Sequence, residues 1–129
     1  MNFSGIRAVV FDMDGTLLDS ERLSRRAWDA AAREVGACVT PEIFLKMVGH
    51  RSDDCMRILQ REIGRELPAE RVTASARAHY ARLVAAGVPL MRGAREMFAF
   101  ARSRGMKIGV ATSTRRVSAQ EKLARAGLW

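Results

Sequence analysis

The sequence predicts an α/β fold: part of a doubly wound parallel sheet, with an α-helical segment inserted between its strands. Three observations predict it. Two short apolar runs, 6–11 and 106–111, each end in polar residues of the kind that terminate strands. Near-continuous apolar character marks a strand buried on both faces of a parallel sheet. The runs lie about 100 residues apart, whereas a plain strand–helix–strand unit needs only about 30. The excess reads as helix.

The helices follow from caps and stops. Ser20 is read as the cap of a helix running to Val35, with Gly36 as its stop. Thr40 before Pro41 is a cap followed by a first-turn proline, and that helix ends near Gly49. Ser52 with Asp53 and Asp54 reads as another capped start, its acids complementing the helix dipole, and Gly64 ends it. Pro68 opens a fourth helix, with Val72, Ala76, Tyr80, Leu83 and Val84 facing inward and Gly87 at its end. A fifth covers 94–104, with Met97, Phe98 and Ala101 on one face and Gly105 as its stop. A sixth covers 117–126. Residues 1–18 and 88–129 therefore form a partial α/β core, and 19–87 a helical insert. The chain stops at Trp129, just where a third strand should begin. It reads as the front part of a larger α/β protein, with apolar sheet faces left open.

Composition excludes several classes. With 129 residues, 48% hydrophobic and 28% charged, the chain is globular rather than disordered or collagenous. No apolar run approaches the roughly 18 residues of a membrane span, and 6–11 is too short for a signal-peptide core. The expected location is cytoplasmic, with no membrane partner. Cys38 and Cys55 fit no zinc spacing and no disulfide framework, and read as two buried or half-buried thiols. Lys plus Arg is 22 against 14 for Asp plus Glu, a net charge of +8. Yet 19 of the 22 cations are Arg, scattered at helical spacing without a dense block. Solvated helix faces explain that better than a nucleic-acid partner. The excess would still draw in a phosphate ester.

The sharpest feature is Asp12-Met13-Asp14-Gly15-Thr16, directly after the first apolar run. Open parallel sheets place their sites at the carboxyl ends of strands. Two carboxylates there are costly unless something uses them. Mg²⁺ suits such a pair, because it takes one or two protein carboxylates and keeps room for water and phosphate oxygens. An acidic turn bent at Gly15 is the alternative. The preceding strand and the following Thr16-Leu17-Leu18-Asp19-Ser20-Glu21 favour the site.

The segment Val10-Phe11-Asp12-Met13-Asp14-Gly15-Thr16-Leu17-Leu18-Asp19-Ser20-Glu21 resembles the first motif of the haloacid dehalogenase superfamily. More narrowly, it is similar to the branch of phosphatases and β-phosphoglucomutases that carries a helical cap. Gly109-Val110-Ala111-Thr112-Ser113-Thr114 resembles the second motif, and Pro89-Leu90-Met91-Arg92-Gly93-Ala94 the return from cap to core. The resemblance implies a Rossmann-like core and an aspartyl-phosphate mechanism, in which a carboxylate nucleophile splits one hard displacement into two. Asp12 would be the nucleophile. Asp12 and the backbone carbonyl of Asp14 would hold Mg²⁺. The Asp14 side chain would protonate the leaving alcohol and then activate water. Thr112 would donate to a phosphoryl oxygen. The N–H groups of Ser113 and Thr114 could add to this at a helix N-terminus; Thr114 serves equally well as that helix's cap. An acid at Asp14 favours phosphate esters over haloacids, since an alkoxide needs a proton donor and a halide does not.

In the cap, the resemblance points to the loop 49–52. Arg51 would meet a second anionic group of the substrate, and His50 a sugar hydroxyl; a solvated loop between helices is the alternative. Trp28 and Tyr80 read as cap core, and His79 as surface or packing. The family's lysine after a third strand and acids after a fourth have no match. Lys122 and Glu121 lie on the terminal helix, and those roles are not carried onto them. The implied activity is Mg²⁺-dependent phosphoryl transfer on small phosphorylated metabolites such as sugar phosphates, by a phosphatase or a phosphomutase. A catalytically inactive, truncated protein or interaction module is the alternative.

Overall fold

The structure is a computed structural model that describes residues 3–129. It divides into two compact units, Met1–Ser20 with Gly87–Trp129, and Glu21–Ala86.

The first unit holds the sheet. β1 (Ala8–Asp12) and β2 (Lys107–Ala111) pair in parallel, with Ala8 opposite Lys107 and Asp12 opposite Ala111. Parallel neighbours need a crossover, which brings a helix with it. α5 (Ala94–Ser103) precedes β2 and packs on it. Its buried Phe98 stacks on Phe11, ring centroids 5.1 Å apart. α6 (Arg116–Arg125) follows β2 and buries Ala119 and Leu123.

Burial corrects one expectation. β1 alternates between exposed and half-buried residues, and Val10 is 66% exposed. Its apolar run is therefore not covered on both faces among the described residues. A strand's sequence shows that cover is wanted, but neighbouring elements must supply it. Met97 is also 45% exposed. The inward stripe of α5 is Ala94, Phe98 and Ala101, and Met97 lies at its margin.

The second unit is helical. It comprises α1 (Ser20–Arg33, its first residue in the other unit), α2 (Pro41–Met47), α3 (Ser52–Ile63) and α4 (Ala69–Ala85). Trp28, Ala31 and Ala32 of α1 share one core with Phe44 and Met47, Met56 and Leu59, and Val72 and Ala76. Tyr80 is half-buried. No helix among the described residues is long and apolar enough to cross a membrane.

The caps divide. Thr40 caps α2: its Oγ1 accepts from the Ile43 N–H at 3.2 Å. Gly64 ends α3 in the left-handed conformation, φ 75°. Ser52 is not the cap of α3 but its first helical residue; Arg51 holds the cap position without a side-chain bond. Ser20 likewise sits inside α1, and its buried hydroxyl makes no hydrogen bond among the described residues. In runs of consecutive polar residues, the pattern alone leaves the cap uncertain by one place. At the far end of α1, Arg65 donates to the carbonyls of Val35 and Gly36, each at 3.0 Å. A guanidinium there satisfies carbonyls the helix leaves open.

Two further readings change. His79 is not merely surface: its Nε2 lies 2.7 Å from Glu34, whose other carboxylate oxygen accepts from the Ser75 hydroxyl at 2.8 Å. Cys55 is buried, but Cys38 is exposed. Cys38 lies in the connection from α1 to α2, where its neighbour Val39 takes the buried place.

Asp29 ties that connection down. One oxygen accepts from the Val39 N–H at 2.9 Å and the other from Arg33 Nε at 2.8 Å. Burial alone would raise its pKa; the bonds from Arg33 and Val39 and the charge of Arg33 outweigh that and hold it below the ordinary value. A carboxyl depressed on folding stabilises above its unfolded pKa, and that stability is lost as pH falls through the folded one. Asp29→Ala should therefore cost about 1.5 kcal/mol at neutral pH. Urea melts at several pH values should show the gap to the parent protein closing below the usual carboxylate range.

Candidate active site

The site is built where β1 ends. Asp12 closes the strand, exposed, and Met13 turns fully into the core. The chain then wraps around the Met13 carbonyl, which accepts the N–H groups of Leu17 at 2.9 Å and Leu18 at 3.0 Å. Gly15 makes this turn with φ 78°, a conformation that side chains resist, and its N–H bonds the Leu18 carbonyl at 2.8 Å. Asp12 and Asp14 flank the buried Met13. Leu17 and Leu18 are buried behind the turn.

The same turn joins the ends of the helical insert. Met91 donates its N–H to the Leu17 carbonyl at 2.8 Å, and Asp19 donates to the Pro89 carbonyl at 2.8 Å. Leu18 and Leu90 form an antiparallel bridge.

β2 delivers the second motif to the same place. Thr112 follows Ala111, the register partner of Asp12. Its Oγ1 accepts the Thr114 N–H at 3.1 Å, which leaves the Thr112 hydroxyl proton to be donated. Ser113 is exposed beside it. Thr114 fills neither of its two expected places. Its N–H is engaged by Thr112, and Arg115 stands at the cap position of α6. Its hydroxyl instead donates to Asp14 Oδ2 at 2.8 Å. Thr16 donates to Asp12 Oδ2 at 3.2 Å.

Lys122 is the residue that sequence reasoning left out. Its Nζ lies 3.4 Å from Asp14 Oδ1, with the side chain only 10% exposed. The available signal was helical spacing: Lys122 is three residues after Ala119 and next to Leu123, both buried. Glu121 is exposed.

Asp12, Asp14, Thr112 and Ser113 are thus gathered at the strand ends. His50 and Arg51 belong to the helical unit, exposed on the connection from α2 to α3. Their carbonyls accept from the Cys55 thiol at 3.6 Å and the Cys55 N–H at 2.9 Å, which shapes the loop.

Among the described residues, no group of three or more His, Cys, Asp or Glu gathers as a multi-ligand metal cluster would. The donors at the strand ends are hard oxygens, from Asp12 and Asp14. That set suits Mg²⁺, which takes one or two carboxylates and otherwise keeps water.

The described residues thus bring a strand-end carboxylate pair beside a hydroxyl-bearing turn, with helices inserted after the first strand. The signature of the haloacid dehalogenase-like hydrolases matches residues 6–128. The chain belongs to that family. It is 28% identical over 123 residues to a phosphorylated carbohydrates phosphatase of Thermotoga maritima, covering 95% of this chain and 57% of that protein. It is 35% identical over 92 residues to a 6-phosphogluconate phosphatase of Escherichia coli K12, covering 70% of this chain and 42% of the relative. The chain thus spans about half the length of the curated relatives it matches. A haloacid dehalogenase family hydrolase of Deinococcus radiodurans, solved with bound phosphate and sodium, superposes with a TM-score of 0.80 at 25% identity. That match covers 95% of this chain and 53% of the other.

Leu18 is fully buried behind the carboxylate turn. Leu18→Ala should destabilise the protein by about 2–5 kcal/mol. Chemical denaturation followed by far-UV circular dichroism measures it.

Proposed function

We propose that the protein is a Mg²⁺-dependent phosphatase or phosphomutase acting on small phosphorylated metabolites, sugar phosphates among them, in the cytoplasm. The observation that carries this reading is Asp12 exposed at the end of β1, with Asp14 two residues on and Thr112 after its strand partner. The names of the two curated relatives support the substrate class and favour the phosphatase.

Each residue has a task. A carboxylate oxygen of Asp12 attacks phosphorus, and the bond from phosphorus to the leaving oxygen breaks. The leaving oxygen takes a proton from the Asp14 side chain, and an aspartyl-phosphate remains on Asp12. In the second step water attacks that phosphorus, the bond from phosphorus to the Asp12 oxygen breaks to restore the carboxylate, the proton from water passes to Asp14, and phosphate departs. In a mutase a sugar hydroxyl takes the place of water. Thr112 donates its hydroxyl proton to a phosphoryl oxygen, and the Ser113 N–H adds a second donor. The Asp12 carboxylate and the Asp14 carbonyl would hold Mg²⁺, which when bound offsets repulsion between the anionic nucleophile and the anionic phosphate. The helical unit serves as the cap that selects substrate. Arg51 there engages an anionic group and His50 a hydroxyl.

Asp12→Asn should abolish Mg²⁺-dependent release of phosphate from sugar phosphates by the complete protein, a loss of at least about a thousandfold. Phosphate release is followed colorimetrically with and without chelator. Unchanged turnover in this variant would sink the assignment.

A further inference from the structure

We propose that Lys122 is a positioning residue for Asp14, holding the carboxyl group that serves the leaving oxygen. This rests on the reading above, in which Asp14 is that proton donor.

The phase of α6 supports it. The helix turns apolar Val117 outward, 68% exposed, and turns Lys122 inward, its side chain 10% exposed. Hydrophobic patterning alone would favour the reverse. An ammonium group withdrawn from water is costly unless a partner receives it. Asp14 Oδ1 at 3.4 Å is such a partner. The other carboxyl oxygen, Oδ2, accepts from Thr114 at 2.8 Å. Both oxygens of Asp14 are therefore held, from two points on the β2–α6 segment. Two-point contact fixes the side-chain torsions as one contact does not, and orientation of this kind governs proton transfer. The base of Lys122 is itself fixed, because Ala119 and Leu123 anchor the same face of α6 in the core.

A residue acting through Asp14 should matter only where Asp14 matters. A sugar phosphate expels an alkoxide, which needs a proton. p-Nitrophenyl phosphate expels a stable phenolate, which does not. The ratio kcat/KM reports events up to departure of the leaving group. We would measure it for a hexose phosphate and for p-nitrophenyl phosphate, using the complete protein and its Lys122→Met and Lys122→Arg variants. Lys122→Met should lower kcat/KM about tenfold or more on the sugar phosphate, through kcat rather than KM, and less than about threefold on p-nitrophenyl phosphate. Lys122→Arg should restore most of the loss. An equal loss on both substrates, as general damage to folding would give, overturns the proposal, and so does no loss on either. Asp12→Asn separates the two ideas. If it retains activity, the underlying mechanism fails; if it is inert while Lys122→Met shows no leaving-group preference, only the role of Lys122 fails.

Discussion

The parallel register of β1 on β2 is the constraint on which the rest depends. Asp12 stands opposite Ala111, so both strands end at the same level. One residue past that level lies Thr112; two past Asp12 lies Asp14. Parallel strands present their carboxyl ends together, and this is why residues about 100 positions apart can form one site. A slip of one residue would turn Asp12 toward the place of Met13 and bury a carboxylate. The fully buried Met13 and the stacking of Phe11 on Phe98 resist that slip.

The same register allows a large helical insertion without loss of the site. The insert leaves and returns through the short pairing of Leu17 and Asp19 with Met91 and Pro89. Its ends are closed by backbone bonds, and the helices between them pack around their own core. Meanwhile two neighbouring carboxylates, which repel one another, are each given donors. Thr16 serves Asp12, and Thr114 and Lys122 serve Asp14. The asymmetry matters chemically. Asp12 is left exposed, while Asp14 is half-buried and gripped on both oxygens.

Much of this was legible in the sequence. The strands, the motif after each and the helical insert follow from local apolar runs and turn residues. Thr40 was legible as a cap because Pro41 fixes where its helix starts. Ser20 and Ser52 misled by one position, since each sits beside other polar residues that can take the cap. The exposed face of β1 could not be read from its own residues, because cover is a property of neighbours. Lys122 escaped for a related reason. Its link to Asp14 spans 108 positions and depends on the rotation of α6, which only packing of Ala119 and Leu123 decides. The pairing of His79 with Glu34 joins two helices in the same way.

The most direct measurement is the identity of the phosphorylated residue during turnover. The complete protein would be mixed with a sugar phosphate and Mg²⁺, quenched in acid within the first turnovers, digested and analysed by peptide mass spectrometry. A single phosphoryl group on Asp12 is the expected result. A phosphoryl group on any other residue, or steady turnover with no phosphorylated protein at any time, would contradict the mechanism.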